Sequence, residues 1–156
     1  MELLLTSKGI GGQLKSFKDL VKDSEEITFV GTPGFCTPFA ELLSFTLRDS
    51  EKRLVFVPNM DKDSAKILAF TDDGMQLRDT ADPLADTVVL LGGLAIPKNQ
   101  IDPQNMNRFV QMISKGRNSK IIGVCFQSIF QEQKWTDHIK FDYIIDADLS
   151  VEVIKM

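Results

Sequence analysis

Side chains with special chemistry are scarce in this sequence: 156 residues include two cysteines, one histidine, one tryptophan and one tyrosine. Two cysteines and one histidine cannot supply the spaced ligand pairs of a structural zinc site. Cys36 and Cys125 lie far apart in a chain that reads as cytoplasmic, where thiols stay reduced, so no structural disulfide is expected. A basic surplus is also lacking, with 18 Lys and Arg against 22 Asp and Glu and a net charge of −4. Without a positive field to gather phosphates, nucleic acid is excluded as a partner. The strongest apolar stretch, Thr87 to Pro97, is broken by Gly92 and Gly93 and falls far short of the roughly 20 residues that cross a bilayer. Leu3 to Leu5 is too short for a signal-peptide core and follows no basic segment, so the chain reads as unexported. No repeat, linker or low-complexity stretch divides it.

What is present is ordinary for a globular protein, 43% apolar and 26% charged residues. The length suits one domain over residues 1–156 that buries about two-thirds of its unfolded surface. Leu14, Phe17, Leu20 and Val21 form one apolar stripe and predict a surface helix within Gly12 to Asp23. Glu26 to Val30 reads as a strand that must end at Gly31-Thr32-Pro33-Gly34. Thr37 is expected to cap a helix over Pro38 to Asp49, with Pro38 at its first position. Arg53 to Val57 is a second buried strand, and Asp72-Asp73-Gly74 predicts a tight turn between Ala65–Phe70 and Met75–Leu77, a small antiparallel excursion.

Asp86 to Leu91 is an uninterrupted apolar run of the kind covered on both faces, and reads as the central strand. Asp102 and Pro103 open a helix that Lys115-Gly116 closes. Lys120 to Cys125 is a fourth buried strand, Ser128 to Trp135 a short helix, Phe141 to Asp146 a fifth strand and Val151 to Ile154 a terminal one. Strands alternating with helices predict an α/β fold: a three-layer α/β/α sandwich on a mainly parallel, Rossmann-like or flavodoxin-like sheet of about five strands, joined by right-handed crossovers.

In such sheets ligands bind beyond the carboxyl ends of the strands, where strand order reverses. Three strand ends carry unusual loops, which are expected to face one another: residues 31–37, 91–97 and 125–128. They nominate Thr32, Gly34, Cys36, Thr37, Gly92, Gly93, Phe126, Gln127 and Ser128 as ligand-binding residues. The first loop leads into a helix N-terminus, which suits an anion, with the Thr32 and Thr37 hydroxyls as added donors; a tight turn with a routine cap is the alternative. It fits neither the dinucleotide fingerprint nor the phosphate-loop pattern, so no cofactor is assigned. Cys36 precedes the same helix, where the dipole favours a thiolate, or else it is a small buried hydrophobe between Phe35 and Phe39.

Leu91-Gly92-Gly93 followed by Ile122-Gly123-Val124-Cys125-Phe126-Gln127 resembles the nucleophile region of class I glutamine amidotransferases and their DJ-1-like relatives. That resemblance implies Cys125 as nucleophile, with the Gly93 and Phe126 N–H groups as oxyanion donors. The pattern departs at Gln127, where a glycine is usual. The single histidine, His138, has no Glu two positions later and otherwise reads as a surface residue. A second likeness spans nearly the whole chain through Phe29-Val30-Gly31-Thr32-Pro33-Gly34-Phe35-Cys36-Thr37-Pro38, Val89-Leu90-Leu91-Gly92-Gly93 and Phe141-Asp142-Tyr143-Ile144-Ile145-Asp146. It resembles an uncharacterised family of small proteins from methanogenic archaea and implies an archaeal cytoplasmic setting.

Asp142, Asp146, Asp148 and Glu152 offer oxygen ligands but no cation-loop spacing. They read as solvated strand-end acids, and no metal is assigned. Trp135 and Tyr143 are expected to seal the sheet edge. Three roles follow for this sequence: a small-molecule or anion-binding domain, a cysteine-dependent hydrolase or amidotransferase using Cys125, or an interaction subunit of a larger complex. A homodimer through an outer helix or sheet edge fits any of them.

Overall fold

A computed structural model describes residues 1–116 and 118–156. Among the described residues seven strands form one sheet: β1 (Glu26–Gly31), β2 (Arg53–Pro58), β3 (Lys66–Thr71), β4 (Gly74–Thr80), β5 (Thr87–Leu91), β6 (Lys120–Phe126) and β7 (Tyr143–Ala147). The spatial order is β4-β3-β2-β1-β5-β6-β7. The strands β2, β1, β5, β6 and β7 run parallel; β3 pairs antiparallel with β2, and β4 antiparallel with β3.

The expected count of about five strands is therefore too low. The Asp72-Asp73-Gly74 turn does make a hairpin, but β3 hydrogen-bonds to β2 and so extends the main sheet. Asp86–Leu91, read as the central strand, is β5 and stands in the middle of the five parallel strands, while β1 holds the middle place of all seven. Position in the sheet follows composition. The continuous apolar runs of β1, β2, β5 and β6 are buried along almost their whole length, whereas β3, β4 and β7 are only partly covered. A strand with helices over both faces can use apolar residues at every position; an outer strand cannot.

The helices α1 (Gly9–Leu20) and α2 (Thr37–Phe45) lie on one face, and α3 (Pro103–Ile113) with the one-turn α4 (Ile129–Glu132) on the other. Phe17 and Val21 of the α1 segment, with Ala40 and Leu43 of α2, pack on Ile27, Phe29, Val89 and Ile122. On the opposite face, Met106, Phe109, Val110 and Ile113 of α3 pack on Val30, Val88 and Leu90, beside Phe130 and Trp135. Alternate residues of each strand thus serve opposite cores. Each large side chain so buried contributes roughly 1.5–3 kcal/mol. Trp135 belongs to this second core, 5.6 Å from the Phe130 ring, while Tyr143 stands on the edge strand.

Local chemistry sets the helix ends. Asp102 caps α3 by accepting from the Gln104 N–H at 3.2 Å, with Pro103 at the first position. α2 ends at Phe45, short of Asp49, because Thr46, Leu47 and Arg48 bond three residues back and the Thr46 hydroxyl donates to the Leu43 carbonyl at 2.6 Å. Cys36, not Thr37, occupies the N-cap position of α2. The predicted strand Val151–Ile154 does not join the sheet, and its apolar side chains stand in solvent. No helix among the described residues is long and apolar enough to cross a membrane.

Candidate functional site

Among themselves the five parallel strands follow the 2-1-3-4-5 order of flavodoxin-like folds, which reverses direction between β1 and β5. The connection from β1 leads into α2 on one face, and that from β5 into α3 on the other. The loops therefore part above this point and leave a crevice.

A cavity of about 120 Å³ lies there. Phe35, Cys36 and Phe39 wall it from the first loop and the start of α2. Leu91, Gly92, Gly93 and Ile96 contribute from the end of β5, and Val124, Phe126 and Ile129 from β6 and α4. The Phe39 and Phe126 rings meet with centroids 5.1 Å apart. The wall has no charged side chain, and the Cys36 thiol is its one polar side-chain group.

Of the residues nominated from the sequence, Cys36, Gly92, Gly93 and Phe126 line this cavity; Thr32, Gly34, Thr37, Cys125, Gln127 and Ser128 do not. The latter group braces the loops. The Thr32 carbonyl accepts from the Cys36 N–H at 2.8 Å, and the Thr37 hydroxyl accepts from the Gly34 N–H at 3.1 Å. Gly34 takes a φ of 81°, which its lack of a Cβ permits. Gln127 and Ser128 both have left-handed backbone conformations. The Asp146 carboxylate holds this turn by accepting from the Ser128 N–H and hydroxyl, each at 2.9 Å. Asp142 similarly accepts from the Ile121 N–H at 2.7 Å. These two acids thus fasten backbone and are not simply solvated.

Sequence reasoning missed Asn99. Its side-chain amide donates to the Gly93 carbonyl at 2.7 Å and to the Thr32 hydroxyl at 3.4 Å, tying two walls of the crevice together. It also missed Gln13 of α1, which reaches the Cys125 carbonyl at 3.3 Å. Nothing in the local pattern of either residue marks it, because the bonds from Asn99 to Thr32 and from Gln13 to Cys125 join residues far apart in sequence.

The glycines explain how closely the loops approach. A Cβ on Gly93 would collide with the Cys36 sulfur and lie 2.8 Å from the Phe35 ring; one on Gly92 would lie 2.7 Å from the Cys125 Cβ and 3.1 Å from its Cα. The Gly-Gly pair is thus fitted against the two cysteines, both free and buried.

Their chemistry follows from that burial. Desolvation raises the Cys36 thiol above its ordinary pKa, outweighing the backbone N–H groups of Thr32, Gly93 and Leu94 and the Thr32 hydroxyl, which favour the thiolate. Of the two readings of Cys36, its burial fits the small buried hydrophobe and not the dipole-activated thiolate. Cys125 is pushed up to about 12, first by burial and then by the charge and hydrogen bond of Asp146, whose carboxylate lies 3.3 Å from the sulfur. Moreover, Cys125 lies within the regular strand β6, whereas the left-handed residues come two and three positions later. A nucleophile elbow presents its nucleophile on the strained residue itself, outside the sheet. The likeness to the amidotransferase nucleophile region ends at the order of its segments, since this thiol is buried within β6.

Fold and site together define an open, doubly wound α/β domain with a small apolar cavity at its switch point. The family described as an uncharacterized protein conserved in archaea (DUF2124) matches residues 8–150, and the chain belongs to that family. An uncharacterized protein of Methanocaldococcus jannaschii is 39% identical, covering 98% of this chain and 94% of its own length. Another, from Methanothermobacter thermautotrophicus, is 35% identical over 99% of both chains. The crystal structure of a protein of unknown function from M. thermautotrophicus superposes with a TM-score of 0.93 at 35% identity, covering 100% of this chain and 99% of that one. The methanogen family resemblance read from the sequence is met by these relatives.

Proposed function

We propose that this chain is a small-molecule-binding domain of sensing or regulatory type, whose ligand places a compact apolar group in the cavity between β1, β5 and β6. The observation that carries this reading is the cavity wall. A partly open cavity of about 120 Å³ walled by three phenylalanines and four aliphatic side chains, with no charge among them, is on the scale of the roughly 150 Å³ apolar cavity that accepts benzene. The matching group is one ring or a branched alkyl of similar size. Its polar end would meet the Gly92-Gly93 backbone and the Cys36 thiol at the wall.

An anion is disfavoured as the buried group. Pro38 has no N–H, and the Phe39 and Ala40 N–H groups both donate to the Cys36 carbonyl at 3.0 Å. This leaves the start of α2 few free donors, and the cavity wall has no basic side chain to replace them. A hydrolase working through Cys125 is disfavoured by the burial of that thiol, which with Asp146 raises its pKa. The two free, buried cysteines fit a cytoplasmic setting.

The test is ligand-observed NMR and thermal unfolding with benzene, toluene and indole, on the parent chain and on Ile96→Trp, a larger side chain in the cavity wall. At a concentration 100 times Kd, binding adds about 2.7 kcal/mol. At roughly 2–4 °C per kcal/mol, Tm rises by about 5–11 °C, and Ile96→Trp removes that rise. If none of the three probes binds the parent chain saturably, the proposal is wrong.

A further inference from the structure

The sheet ends on one side in an unguarded strand. Among the described residues β7 has β6 as its one hydrogen-bonded neighbour, so alternate backbone groups face outward unpaired. Tyr143, Ile144 and Ile145 are each only half-buried, although successive residues point to opposite faces. The other edge is protected. β4 carries exposed Arg78 and Asp79, and a register shift between Lys66 and Leu68 interrupts its pairing with β3; charges and irregular pairing are what keep sheet edges apart. β7 has no Lys, Arg, Pro or left-handed residue, and its single acid, Asp146, is engaged by Ser128.

Just beyond β7 the chain carries a segment of matching character. Val151 is 84% exposed, Val153 96% and Ile154 73%, and the Val-Glu-Val alternation is that of a strand. Four to six residues of strand span roughly 13–20 Å, the length of β7. This segment is not paired with its own edge: residues 148–156 join no strand. The Leu149 N–H donates to Gln127 Oε1 at 2.6 Å, which ties the start of the segment to the β6–α4 turn. Asp148-Leu149-Ser150 also lacks the glycine or asparagine that a tight return would favour.

We propose that two copies of this chain form a twofold dimer in which Val151–Ile154 of each adds as a strand along the outer edge of β7 of the other. Donor segment and acceptor edge occur once per chain, so a single symmetric exchange satisfies both and closes the assembly at two. The edge backbone gains partners, and the exposed valines cover the half-buried face of β7.

Sedimentation equilibrium on the full chain tests this. The parent chain is expected to be dimeric, and Val151→Asp/Val153→Asp to weaken association at least about 100-fold without altering the circular dichroism spectrum. In a separate variant, Ile154→Cys with Tyr143→Cys, disulfides are expected between tagged and untagged copies after mixing. A parent chain monomeric at every concentration overturns the proposal. A dimer unaffected by the two aspartates also overturns it and moves the contact elsewhere, such as the exposed Phe35, Leu42 and Phe45 of the α2 side. Disulfides formed only within one copy would return the segment to its own edge and overturn the exchange as well.

Discussion

Gly93→Ala is a direct test of how the site is built. A methyl at Gly93 would overlap the Cys36 sulfur and crowd the Phe35 ring at 2.8 Å. Phe35 is 58% exposed and can swing away; the Cys36 side chain is buried and cannot. Overpacking of this kind costs about 1–3 kcal/mol, or a Tm lower by about 2–12 °C for a chain of this size. Cys36→Ala alone removes one buried sulfur and should cost about 0.5–1.5 kcal/mol, like the loss of a buried methyl group. In the double variant the methyl occupies the space the sulfur leaves, so its loss should fall at least about 1 kcal/mol short of the sum. Gly92 supplies the control. Its added Cβ would meet the Cα and Cβ of Cys125, atoms that alanine retains, so Cys125→Ala should not rescue Gly92→Ala. Urea unfolding of the parent chain, four single variants and two doubles, under reducing conditions, gives both cycles. Simple additivity at Gly93 and Cys36, or equal rescue at both glycines, would refute the packing account of the Gly-Gly pair.

Two further outcomes follow from the same geometry. Because the Cys125 pKa is raised to about 12 in the folded chain from an ordinary value near 8.5, the folded state holds the proton more tightly. Its contribution is full below about pH 8 and is lost as pH rises towards 12. Urea midpoints should therefore fall from pH 8 to pH 10 with a slope that Cys125→Ala reduces, and mass spectrometry should find neither cysteine alkylated at pH 8 until the chain unfolds. Asn99→Ala removes the bonds to Gly93 and Thr32. It should destabilise the chain by about 1–3 kcal/mol, the usual cost of partners left unpaired, and weaken probe binding in the NMR assay, whereas binding at parental strength would show that the crevice holds its shape without it.

The sequence by itself determined the layering. Unbroken apolar runs at Phe29-Val30, Val55-Phe56-Val57, Val88–Leu91 and Ile121-Ile122 cannot have a solvent face, so those strands must lie in a covered, largely parallel sheet. Breakers at Gly31–Gly34, Pro58-Asn59 and Gly92-Gly93 must end them, and these local rules fixed which loops would meet at the carboxyl ends. Tertiary structure alone decided what those loops do. Whether Asp72-Asp73-Gly74 makes a separate hairpin or widens the sheet depends on the free edge of β2, which no local pattern encodes. Whether Cys36 and Cys125 are reactive depends on desolvation and on Asp146, which reaches Cys125 only through the β6–β7 pairing. Thr37 braces its loop through a neighbour, Gly34, but Thr32 and Ser128 are held by Asn99 and Asp146, distant in sequence and adjacent in space. The cavity wall came instead from phenylalanine and aliphatic side chains that, read along the chain, look like any other part of a core.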